Sequence, residues 1–150
     1  MRVFTAAGEL RTAVGEELGA SDWMIIGQRR VDAFADATDD HQWIHVDPQR
    51  ATAGPFGTTI AHGFLTLSLL PHLIGQVYRV EGATMAINYG LNKVRFPTPV
   101  PVGSRVRVQV TLVEVTDAAG GLQVVVRATL QVEGNAKPGC VADWVTRVYL

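Results

Sequence analysis

An α+β fold, with a long antiparallel sheet wrapped around a central hydrophobic helix, is what this sequence predicts, and three observations carry it. Residues 63–78 are apolar nearly all round, the mark of a helix buried on every side. From Met85 onward apolar and polar residues alternate over long runs, the period of strands with one face in a core. Gly120-Gly121 and Gly134-Asn135 punctuate those runs as turns, so the strands are antiparallel neighbours. With 150 residues, 47% of them hydrophobic, the chain is long enough for a real core and is read as one domain, 1–150.

Along the chain, Leu10, Val14 and Leu18 recur at four-residue spacing, with Thr5 as a cap and Gly19 as a stop, and predict a short surface helix. Trp23 to Ile26 is a short apolar run and reads as a strand. Gln28 to Thr38 places Val31, Phe34 and Ala35 on one helical face, and that periodicity ends at Thr38-Asp39-Asp40. Asp47-Pro48 is a helix start, an Asp cap with Pro at the first helical position, and Gly54-Pro55-Phe56-Gly57 ends that helix. Inside the apolar stretch, Pro71 removes a helical hydrogen bond, so a kink or two abutting helices are expected there. Met85, Ile87, Tyr89 and Leu91 alternate, and the apolar phase then flips to Val94 and Phe96, which predicts a bulge between Gly90 and Lys93. Val106, Val108, Val110 and Leu112 alternate with polar residues; Leu122, Val124, Val126, Ala128, Leu130 and Val132 recur at every second position, as do Cys140, Ala142, Trp144, Thr146 and Val148. A sheet of such strands curled round one helix is the hot-dog architecture. Its open edge calls for protection, and pairing of edges in a homodimer supplies it.

Composition removes several functions. The net charge is −1, from 13 basic and 14 acidic residues, which gives no basic face for nucleic acid. Arginine far outnumbers lysine, whose only members are Lys93 and Lys137, and it suits bidentate contact with a small anion. The single cysteine, Cys140, excludes an intramolecular disulfide and a cysteine-based zinc cluster. Residues 1–20 carry Glu9, Glu16 and Glu17 and lack the apolar core of a signal peptide. No stretch of ~20 residues is apolar enough to cross a membrane. A cytoplasmic protein without membrane insertion is the expectation.

Ionisable residues crowd into one non-periodic segment, Asp40-His41-Gln42-Trp43-Ile44-His45. Asp40 and His45 are five positions apart, so on a regular helix they would point about 140° away from each other. Irregular backbone would let them converge on one water, one group holding a proton while the other accepts it. Gly63, at the start of the apolar helix, offers an N–H with no side chain in the way, suited to negative charge on a thioester oxygen. Spacing alone leaves other readings open, in which Asp40 caps a turn and His45 is a satisfied core histidine. Asp39 is a weaker competitor for the base, Asp47 a cap, His62 a structural residue before Gly63, His72 exposed and Cys140 inert packing. His41 and His45 could share a metal, but they lack the intervening glutamate of a zinc helix and the segment does not read as helical, so no metal is expected. Asn88, Tyr89 and Asn92 are polar groups in an apolar strand that could face the site or simply pair in the sheet. Arg105 and Arg107 could meet a phosphate or lie on a solvated face.

The segment Phe34-Ala35-Asp36-Ala37-Thr38-Asp39-Asp40-His41-Gln42-Trp43-Ile44-His45-Val46-Asp47-Pro48 resembles the hydratase-2 motif of (R)-specific enoyl-CoA hydratases and MaoC-like dehydratases. His62-Gly63 resembles the family's His-Gly before its central helix, and Phe96-Pro97-Thr98-Pro99-Val100-Pro101-Val102-Gly103 its Phe-x-x-Pro-Val-x-x-Gly segment. Gln42 stands where the family has Asn, and Trp43 where it has Pro; this form is similar to a single-domain, short-chain subgroup. The resemblance implies a hydro-lyase that adds water to trans-2-enoyl-CoA. It further implies Asp40 and His45 as the catalytic pair and Gly63 as the oxyanion donor. Gln42, His62, Asn88, Tyr89 and Asn92 are candidate contacts to the substrate. No cofactor is implied, because CoA enters as part of the acyl-CoA substrate. A 3-hydroxyacyl-ACP dehydratase, an acyl-CoA thioesterase and a non-catalytic acyl-binding subunit are the alternatives.

Overall fold

The computed structural model describes all 150 residues. The chain runs β1 (Arg2–Phe4), α1 (Ala7–Thr12), β2 (Glu17–Ala20), β3 (Met24–Ile25), α2 (Gln28–Thr38), α3 (Trp43–Val46), α4 (Pro48–Thr52), α5 (Gly63–Ser68), α6 (Leu70–Ile74), β4 (Tyr78–Val80), β5 (Met85–Arg95), β6 (Arg105–Ala118), β7 (Gly121–Val132) and β8 (Cys140–Tyr149). A six-stranded sheet has the order β2-β6-β7-β8-β5, with β3 also on β6, and every pairing in it is antiparallel. β1 and β4 form a separate parallel pair.

The alternation builds the core as expected. Val106, Val108, Val110 and Leu112 of β6 turn one face inward, as do Val124, Val126, Ala128 and Leu130 of β7. Leu65 of α5 and Leu70, Leu73 and Ile74 of α6 meet them in the same cluster, which Val31 of α2 joins. This is the hot-dog arrangement, sheet around helix. No helix is long and apolar enough to cross a membrane.

Four features differ from what the sequence predicts. The Leu10–Leu18 spacing is not one helix: α1 stops at Thr12, Gly15 turns the chain at φ +92°, and Leu18 lies on β2 against β6. Leu18 is buried all the same, because a four-residue interval suits an inward side chain on either element. Thr5 does not cap through its side chain; instead the Glu9 carboxylate accepts its N–H at 2.7 Å and its hydroxyl at 2.9 Å, which holds the Glu9 pKa below its usual value. The apolar stretch forms two abutting helices, one of the two outcomes Pro71 predicts, but the second ends at Ile74 and not at Tyr78. Pro71 falls in the first turn of α6, where its missing N–H leaves no helical bond unmade, and Tyr78 belongs to β4. Nor is that stretch buried all round, since Phe64 is 67% exposed.

The fourth difference lies in β5. The register slips at Asn92, inside the expected window, and again at Tyr89, closer to the strand start. β5 is the sheet edge, and Met85, Ile87, Tyr89 and Leu91 are exposed rather than packed. The apolar alternation in this strand therefore marks an uncovered surface, not a core face.

Candidate active site

α2 ends because Asp39 adopts φ 59°, the only left-handed non-glycine residue in the chain. Aspartate tolerates that conformation better than most side chains. The chain turns there, and Gln42 then starts a single helical turn, with the His45 N–H donating to the Gln42 carbonyl at 3.0 Å. The expectation of a wholly irregular segment is thus half right: Asp40 is on the loop and His45 on α3. The non-helical residues 39–42 are enough to bring them together. Asp47 caps α4 by accepting the Arg50 N–H at 3.0 Å, with Pro48 beginning the helix. Trp43 closes this corner. Its ring packs so tightly on Gly54 that an added Cβ would lie 3.0 Å from it, and the Arg50 guanidinium sits 4.3 Å from its centroid.

His45 is 6% exposed. Its Nδ1 lies 2.7 Å from the Ile60 carbonyl, which can only accept, so Nδ1 carries the hydrogen and Nε2 presents a lone pair. The His45 carbonyl in turn accepts from Gln28 Nε2 at 2.7 Å, and Gln28 Oε1 accepts from the Thr59 hydroxyl at 2.6 Å. Burial pushes the His45 pKa below its ordinary value; the Ile60 bond and the Asp40 charge oppose this and His62 adds to it. The imidazole is neutral at pH 7. One oxygen of the Asp40 carboxylate and one ring nitrogen each of His45 and His62 lie within 4.8 Å of one another. A carboxylate and an imidazole at that spacing can both hydrogen-bond one water.

Gly63 opens α5, and no acceptor of the protein takes its N–H. A Cβ here would lie 3.1 Å from the Phe96 ring, so glycine lets the aromatic close over the helix start. Together His45, Gly63, Thr66, Phe96 and Val100 line a cavity of about 250 Å³. His45 and Gly63 therefore line one cavity, while Asp40 is not among its lining residues.

Residues 9–135 match the MaoC like domain. Over 148 residues the chain is 62% identical to the 3-hydroxyacyl-thioester dehydratase Z of Mycobacterium tuberculosis, covering 98% of each protein. It is 44% identical to nodulation protein N of Rhizobium leguminosarum over 141 residues, 92% of this chain and 88% of that one. The solved (R)-hydratase of A. caviae superposes with a TM-score of 0.73 at 25% identity, over 89% of this chain and 95% of that one. The chain belongs to the MaoC-like dehydratase family. It is an enzyme of the hydro-lyase class, one that adds or removes water.

On this MaoC-like framework the other candidate residues separate. His62 is more than a spacer before Gly63. It is 2% exposed, its Nε2 reaches the Asp40 carbonyl at 2.9 Å, and its ring stacks on His45. Gln42 is exposed and contributes backbone only; its side chain makes no hydrogen bond. Asn88, Tyr89 and Asn92 are not part of the His45 cavity. Asn88 and Tyr89 line a different one, about 350 Å³, with Leu67, Pro71 and Trp144, while Asn92 is the exposed bulge residue. Tyr89 instead lies under the Arg147 guanidinium at 4.2 Å. Arg105 pairs with Glu133 and Arg107 with Gln131, on a face away from this cavity.

His41 turns to Asp36 at 2.9 Å, which raises its pKa, so it is not a co-ligand of His45. The set Asp40, His45 and His62 is closer to a metal cluster in composition than the pair His41 and His45. His45 Nδ1 and His62 Nε2 are both spent on main-chain carbonyls, of Ile60 and Asp40, which leaves each ring one nitrogen for any other partner. Cys140 is buried and its thiol is pushed up to about 11 by burial. Sequence reasoning misses Gln28, Thr59 and the Ile60 carbonyl, which together hold His45; no residue pattern marks them. For His62 the signal is the His-Gly doublet itself.

Proposed function

We propose that this enzyme adds water to trans-2-enoyl-CoA to give (R)-3-hydroxyacyl-CoA, and runs the reverse dehydration. The observation that carries this reading is the pairing of a neutral, main-chain-anchored His45 with Asp40 at single-water distance, beside the unused Gly63 N–H. Asp40 and His45 hold one water. Its oxygen attacks the β-carbon, the double-bond electrons move to the α-carbon, and negative charge reaches the thioester oxygen, where the Gly63 N–H receives it. The dyad takes the proton leaving the water, and the same proton is returned to the α-carbon. His45 rests with Nε2 unprotonated, so it can donate there only after it has accepted; Asp40 is the first acceptor in this scheme. CoA travels with the substrate, and no step calls for a metal or redox cofactor.

A 3-hydroxyacyl-ACP dehydratase uses the same steps on another carrier, and the 62% identical relative, named a 3-hydroxyacyl-thioester dehydratase, favours keeping it as the second reading. We further infer a cytoplasmic homodimer. The apolar edge of β5, with Met85, Ile87 and Leu91 exposed, supports pairing with a second copy. The test is a panel of enoyl thioesters on CoA and acyl-carrier protein, starting with crotonyl-CoA and following loss of enoyl absorbance. Turnover on CoA substrates is expected. Release of free thiol would mark hydrolysis instead, and inactivity on every chain length and carrier would overturn the proposal.

A further inference from the structure

Two buried imidazoles lie face to face, yet hydration of the double bond uses only one. The centroids of His45 and His62 are 3.8 Å apart with the planes 24° from parallel, and Phe34 packs on His62 at 4.9 Å. His62 Nε2 lies 2.9 Å from the Asp40 carbonyl, so that nitrogen carries the hydrogen. Its Nδ1 is then a bare acceptor, and it is buried without a partner. An unmade buried hydrogen bond is unfavourable, and an apolar ring of similar size would fill the space without it. Packing alone therefore does not account for an imidazole here.

We propose that His62 is a positioning residue of the dyad: it anchors the Asp40 main chain through Nε2–H, and its ring, clamped between Phe34 and His45, keeps His45 in place and uncharged. The inference rests on the hydration chemistry assigned to Asp40 and His45. Three groups bear on the His45 ring. The Asp40 carboxylate, from the loop before α3, favours the imidazolium; His62, from the cap of α5, disfavours it; the Ile60 carbonyl takes the Nδ1 hydrogen. Gln28, from α2, reaches the His45 carbonyl and not its ring. Charge on either of two stacked rings at this separation opposes charge on the other, so His62 works against the charging that Asp40 encourages. Without it, His45 would take up a proton at higher pH and lose its lone pair there.

Two substitutions separate the roles. His62→Gln keeps an N–H near the position of Nε2 and removes the ring. His62→Phe keeps a ring in the clamp and removes the donor. With crotonyl-CoA, His62→Phe is expected to lower kcat about 10–100-fold with little change in KM, and His62→Gln to recover part of that loss. In both, the acid limb of the kcat profile moves to higher pH. If His62→Phe does not fold, His62→Gln and Phe34→Leu, which loosens the clamp, carry the test. The ring signals of His45, titrated by NMR in the wild type and His62→Gln, report on the inference without any turnover. A higher titration midpoint in the variant supports it, even if the wild type hydrates no enoyl thioester, in which case the reaction assignment fails and the positioning role stands. An unchanged midpoint together with wild-type kcat and acid limb would reduce His62 to packing and overturn it.

Discussion

The segment from Asp39 to Gly63 and the strand β5 flank the same helix pair and are built by opposite means. In the first, side chains are fixed by main-chain carbonyls: Ile60 holds His45, Asp40 holds His62, and Gln28 reaches across from α2 to the His45 carbonyl. In the second, backbone pairing runs to β8 along one side and the apolar residues stand free. On the proposed function, the difference sets the demands of chemistry beside those of assembly. A reacting pair needs irregular backbone and many anchors, each specified by one atom. A surface that meets another surface needs only a repeating pattern and an open edge.

The contrast can be broken at its polar end. Asp40→Asn and His45→Ala are each expected to lower kcat about 10²–10⁴-fold, with the circular-dichroism spectrum retained. Wild-type turnover from both would mean that the reacting end of the molecule lies elsewhere. Gly63→Ala comes next. The new methyl would press on the Phe96 ring, and a drop of about 10²-fold in kcat is expected, partly regained when Phe96→Leu is added. A loss of thermal stability without a loss of kcat would make Gly63 a packing residue.

A pH profile sharpens the comparison without any mutation. Burial holds the His45 pKa below 6.5 in the folded protein, so the basic form persists below that pH and is lost as pH falls through the depressed value. Between the folded and unfolded values the unfolded chain binds more protons, so this residue makes stability rise with pH there. An acid limb of kcat above 6.5 would contradict the assignment. At the open end, the proposed homodimer predicts that Ile87→Lys, which places a charge on the exposed apolar edge, sediments as a monomer while the wild type sediments as a dimer. The smallest effect belongs to the sheet surface. Glu133→Gln removes the exposed pair with Arg105 and is expected to change unfolding free energy by less than about 1 kcal/mol.

How far these features are legible in the sequence depends on the same contrast. Periodicity locates α2 at Gln28–Thr38, where it is found, and the alternating strands β6 to β8 likewise, because repetition averages over local accidents. β1, three residues long, has no period to read. Leu10, Val14 and Leu18 fit a helix and fit two elements equally well; only the turn at Gly15 decides. In the site, residue type and spacing single out Asp40, His45 and Gly63; the structure puts Asp40 and His45 in one cluster, and His45 and Gly63 at one cavity. Asn88, Tyr89 and Asn92 stand out in the sequence because polar groups in an apolar strand are costly when buried, but in the single chain they lie exposed on the edge strand, with Asn88 and Tyr89 at a cavity separate from that of His45. The anchors of His45 are illegible for another reason: a backbone carbonyl such as that of Ile60 is present in every residue, so nothing in the sequence distinguishes the one that is used.

The pairing of β1 with β4 has a consequence for how the molecule is made. Arg2 lies beside Tyr78, Val3 beside Arg79 and Phe4 beside Val80, in parallel. Between these strands, in sequence, lie the segment from Asp39 to Gly63 and both central helices. Closing so long a loop carries a large entropic penalty for few hydrogen bonds, so this latch is expected among the last contacts to form and among the first to open. Phe4, almost fully buried and edge-on to Tyr78, is then expected to be buried at the end of folding rather than at its beginning.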